Sequence, residues 1–96
     1  MVDELAPQFL PEYGHNIVKA PNISKLAANG TVFENAYTSS PLCAPARASF
    51  LSGMLCPDIN AYDNAAEFSA SVPTVAHFLR SLGYQTSLVG KMHFIG

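Results

Sequence analysis

The sequence predicts an α/β domain in which a mostly parallel sheet is flanked by helices, and two observations carry that expectation. Segments with helical spacing alternate with segments of strand-like alternation. In addition, 49% of the 96 residues are hydrophobic and only 12% are charged, a ratio suited to a sheet buried on both faces. Asn22 can cap a first helix running through Ala28 or Asn29, with Gly30 ending it, and residues 31–37 then read as a strand. Pro45 suits the first position of a short second helix, and Gly53 suits its C-terminal stop. Pro73 can open a third helix over residues 74–82. Its apolar face would be Val75, Ala76, Phe78, Leu79 and Leu82, and Gly83 would end it. Residues 84–89 follow as a second strand. Pro7, Pro11 and Pro21 mark an irregular opening stretch.

Composition removes several function classes. A net charge of −2 with five Lys plus Arg leaves no basic patch for nucleic acid. No uninterrupted apolar run is long enough to span a membrane, and there is no internal repeat or low-complexity tract. A parallel sheet built from these segments would expose apolar surface unless further strands and helices covered it. Residues 1–96 are therefore expected to be part of a larger domain, an amino-terminal piece truncated at both ends. No signal peptide is evident, and a cytoplasmic location is expected. The two cysteines could be bridged in an oxidising compartment, but a bridge would consume Cys43. Cys56 reads as an incidental free thiol in a loop.

The run from Cys43 to Gly53 carries the chemistry. Cys43 would sit just ahead of a helix N-terminus, where unpaired N–H groups and the positive dipole end favour an anion. Arg47 lies four residues on and can project from the same face. Its planar fork suits a tetrahedral oxyanion better than a lysine would. A buried cysteine beside a surface arginine is the plainer alternative, and a free-thiol hydrolase is the chemical one.

Cys43-Ala44-Pro45-Ala46-Arg47, followed by Leu51-Ser52-Gly53, resembles the modification motif of the sulfatases, Cys-x-Pro-Ser/Ala-Arg with Leu-Ser/Thr-Gly. The resemblance implies an alkaline-phosphatase-like fold and a sulfuric ester hydrolase. It also implies that Cys43 is oxidised by a maturation enzyme to formylglycine, whose hydrate attacks sulfur. Other matches follow in family order. Tyr62-Asp63-Asn64-Ala65-Ala66-Glu67 looks like a stretch of the choline sulfatases, Gly90-Lys91-Met92-His93 resembles the Gly-Lys-x-His segment, and Met1-Val2-Asp3 looks like the end of the first strand. By the same resemblance, Asp3 and the modified Cys43 bind a divalent metal, calcium first with magnesium or manganese as alternatives. Arg47 holds the nucleophile, Lys91 binds the sulfate oxygens, and His93 contacts the nucleophile or the sulfate and is a candidate general acid. Asn64 hydrogen-bonds the substrate, while Asp63 and Glu67 look like supporting turn residues. Glu4 stands where the family commonly has Gln or Asp.

The implied substrate is a small sulfate ester, with choline O-sulfate leading. Other sulfatases and phosphonate monoester hydrolases share the nucleophile segment, and homo-oligomerisation of the longer protein is compatible with it. A non-catalytic remnant is the expectation from a different class.

Overall fold

The computed structural model describes residues 1–94, and these divide into two compact units, Met1–Tyr37 and the described residues from Thr38 onward. In the first unit the prolines do more than interrupt. Pro7–Phe9 and Pro11–Tyr13 are single 3₁₀ turns, each opened by its proline, and helix α1 spans Pro21–Ala28 with Pro21 at its first position. A proline there has no N–H to leave unpaired, and its fixed φ is already helical. The expected cap at Asn22 is thus one residue inside the helix, and Ala20 is the N-cap. Tyr13 Oη donates to the Phe33 carbonyl at 2.7 Å, tying the second 3₁₀ turn to the segment after α1. No described residue of this unit is fully buried.

The second unit is built around helix α2, Cys43–Ser52. Ala44, Pro45 and Ala48 on its inner face are buried, and Ala48 joins Ile59 and Ala61 in a small core to which Ala66, Phe68 and Val72 contribute. Small residues on α2 let the 3₁₀ turn Cys56–Ile59 fold back against it. Helix α3 spans Val75–Ser81, with Thr74 as N-cap rather than Pro73 as first residue. The His77 ring replaces the usual glutamate of a capping box: its Nδ1 accepts the Thr74 N–H at 3.1 Å. The intended apolar face of α3 is largely open, with Phe78 60% and Leu82 74% exposed.

The two expected strands are not formed among the described residues. Among the described residues, segments 31–37 and 84–89 form no β-ladder, and the sole bridge position is Glu67. A helix satisfies its backbone groups internally, whereas a strand needs another segment alongside it. No described segment lies beside either stretch in that way.

Candidate functional site around the first turn of α2

The start of α2 is assembled from three parts of the sequence. Leu42 is the N-cap and has no polar side chain, so the helix must find other partners for its first N–H groups. Ser40 Oγ accepts the Leu42 N–H at 3.1 Å, and Asn64 Oδ1, twenty residues away, accepts the Ala44 N–H at 3.0 Å. Pro45 has no N–H to satisfy, and Ala46 N–H bonds the Leu42 carbonyl at 3.0 Å. Among the described residues, the Cys43 N–H is the donor of this group left without a partner. Cys43 is therefore in the first turn, not ahead of it, and Pro45 is the third helical residue instead of the first.

Arg47 lies one turn further along and is 9% exposed. Its Nη1 donates to the Lys91 carbonyl at 2.7 Å, which anchors segment 90–93 against the helix. Burying a guanidinium is costly unless its donors are used, and here one of them fixes a distant backbone. The Lys91 side chain turns back so that Nζ donates to Cys43 Sγ at 3.7 Å. Gly90, with φ +103, permits the turn that precedes this contact, and His93 itself has a left-handed φ of +56. His93 Nδ1 is buried and has no hydrogen-bond partner among the described residues.

The structure thus brings Cys43, Arg47, Asn64 and Lys91 together within one unit, with His93 two residues past Lys91. Asp3 belongs to the other unit and sits on an exposed turn with Glu4, whose φ is +55. The carboxylate oxygens of Asp3 and Glu4 lie within 4.8 Å of each other. Two hard oxygen donors at that spacing fit a divalent cation such as calcium, which takes six to eight oxygens in all. Glu4 was not among the expected ligands. Its signal in the sequence was only the adjacent acidic pair.

Cys56 also differs from expectation. It is buried, its Sγ lies 3.5 Å from the Pro45 carbonyl and from Ser39 Oγ, and it backs the first turn of α2. Neither cysteine is in a disulfide. The Asp63 carboxylate accepts the Ala65 N–H at 2.8 Å and shapes the turn that carries Asn64.

Among the described residues, no helix is long and apolar enough to cross a membrane. The sequence model of the Sulfatase family matches residues 1–95. The choline-sulfatase of Rhizobium meliloti is 53% identical over 96 residues, covering all of this chain and 19% of that protein. An N-acetylglucosamine-6-O-sulfatase of Bacteroides thetaiotaomicron is 35% identical over 95 residues, 99% of this chain and 17% of that one. Human iduronate 2-sulfatase is 36% identical over 103 residues, all of this chain and 18% of its own length. The chain spans about a fifth of the length of these curated relatives. A crystal structure from Bacteroides thetaiotaomicron assigned to the sulfatases superposes with a TM-score of 0.79 at 29% identity, over 91% of this chain and 20% of that one. With a family match over residues 1–95, the chain belongs to the sulfatase family.

Proposed function

We propose that the whole protein hydrolyses sulfate monoesters and that choline O-sulfate is its substrate. One observation carries the chemistry: an ammonium group 3.7 Å from Cys43 Sγ, with Lys91 held there by buried Arg47. A sulfate ester gains negative charge on its peripheral oxygens and leaving oxygen as the bond breaks, and fixed cations at that spot lower the barrier. Lys91 faces those oxygens. Arg47 keeps Lys91 in place and adds its own charge, and the Cys43 N–H is a further donor at the same end of α2. The Nδ2 donors of Asn64 are left for the ester, because its oxygen is taken by Ala44. His93 is the candidate to protonate the departing alcohol.

Formylglycine at position 43, installed by a maturation enzyme, would supply a hydrated aldehyde as the oxygen nucleophile. A divalent cation held by Asp3 and Glu4 would supply charge neutralisation. The 53% identity to a choline-sulfatase supports choline as the alcohol. Other sulfate esters are the second reading, favoured by the 35% and 36% identities to sulfatases named for sugar substrates.

The test is direct. Peptide mass spectrometry of the whole protein, produced with a maturation enzyme, should show formylglycine at position 43. The same preparation should release sulfate from choline O-sulfate, and Cys43→Ala should not. Full activity with an unmodified thiol would overturn the nucleophile assignment.

A further inference from the structure

We infer that Asn64 is a tertiary N-cap for α2 and a positioning residue for position 43. Helix α2 has no cap of its own, since Leu42 stands at the capping position. The donor that a local Ser, Thr, Asp or Asn would satisfy is the Ala44 N–H, and Asn64 Oδ1 meets it at 3.0 Å from twenty residues away. A backbone N–H can only donate, so the carboxamide must present its oxygen there, which fixes its orientation. Its NH₂ then points away from the helix backbone.

The loop that carries Asn64 is itself held at two further points. Asp63 Oδ1 accepts the Ala65 N–H at 2.8 Å, and the Asp63 carbonyl accepts the Ala66 N–H at 3.3 Å. Ala66 and Phe68 pack on the core formed by Ala48, Ile59 and Ala61. Loop and helix are therefore joined both at the first turn and one turn deeper. The peptide that follows residue 43 cannot rotate without breaking the Asn64 contact. Its orientation sets the direction of the side chain at position 43 relative to Lys91 Nζ.

The run from Tyr62 to Glu67 thus serves placement of the nucleophile, not choice of the alcohol. Both ester types should feel its loss equally. The kinetic part of this inference rests on the sulfatase reading, while the capping part does not.

Asn64 lies outside the Cys43 to Gly53 segment, so it can be varied without altering that segment. In the whole protein, Asn64→Ala and Asn64→Asp would be compared with the native protein by Tm and by kcat and KM on choline O-sulfate and an aryl sulfate. Rates are expressed per formylglycine found by mass spectrometry. Aspartate keeps the acceptor and is favoured at a helix N-terminus, but it lacks the NH₂ donors. Asn64→Ala should lower Tm and reduce kcat on the order of a hundredfold on both substrates with little change in KM. Asn64→Asp should restore Tm and give a kcat between the two. An unchanged Tm in Asn64→Ala, or a kcat lower in Asn64→Asp than in Asn64→Ala, would overturn the inference, because Asn64 would then act chiefly through its NH₂ on the ester and not through the cap. Impairment confined to the choline ester would overturn it too. If native protein turned over neither ester, the sulfatase reading would fail, and the order of the three Tm values would still decide the cap.

Discussion

The two ends of α2 are held in opposite ways. At the C-terminal end the described hydrogen bonds are local: Gly53, with φ +72, donates its N–H to the Ser49 carbonyl at 2.8 Å, Ser52 Oγ donates to the Ala48 carbonyl at 2.8 Å, and Met54 N–H bonds Ser52 Oγ at 3.2 Å. Ser49 Oγ closes the set on the Met54 carbonyl. At the N-terminal end the decisive contacts come from far away, with Asn64 twenty residues from Ala44, Lys91 forty-four from Arg47 and forty-eight from Cys43. The last three residues of the Cys43 to Gly53 segment are thus a helix stop, and the first five are a platform that other segments complete. A helix can be terminated by its own residues, but charge can be gathered only by bringing separate segments together.

Breaking the distant contacts should have the largest effect. In the whole protein Lys91→Ala should slow hydrolysis of choline O-sulfate and of an aryl sulfate alike, on the order of a hundredfold, since both esters develop the same charge at sulfur. Steady-state rates on the two substrates check this. A loss confined to the choline ester would move Lys91 from the sulfate to the alcohol.

The local end should respond in stability instead of rate. A Cβ at Gly53 would meet open space, so Gly53→Ala should cost only the backbone strain of a left-handed residue, about 1 kcal/mol. Denaturant unfolding would register that loss, and kcat per mature site should stay at the native value. A large fall in kcat would mean that the far end of α2 is coupled to the site after all.

The smallest effect is expected at Cys56. Cys56→Ser keeps a donor for the Pro45 carbonyl but places a hydroxyl in a packed position, so a destabilisation of about 1 kcal/mol or less should accompany unchanged turnover. Thermal unfolding and sulfate release measured side by side would separate the two.

The parts of the fold that were legible in the sequence are those whose cause is local. Gly53 as a stop for α2, Gly83 as the stop after α3, and Arg47 one turn from Cys43 all follow from propensity and the helical period. Where the reading slipped at helix starts, it slipped by one or two residues: Pro21 takes the first position of α1, while Pro45 takes the third of α2. Proline is tolerated throughout the first turn, because none of those N–H groups has an intrahelical partner to lose. The strands are seen in neither segment among the described residues. Alternation marks a segment that can pair, but the ladder depends on a neighbour that alternation does not supply.

The site divides in the same manner. By itself the sequence determined that a thiol and a guanidinium share one end of one helix, since four residues is a turn, and that the motif closes on a glycine which only a left-handed backbone position requires. Tertiary structure alone decided that Arg47 is buried beneath the Lys91 backbone, that the Lys91 ammonium returns to Cys43, that Asn64 spends its oxygen on the helix, and that Cys56 is packed behind Pro45. Hydrogen bonds and packing between residues twenty to forty-eight positions apart depend on how the chain folds back on itself, and no local periodicity encodes that return.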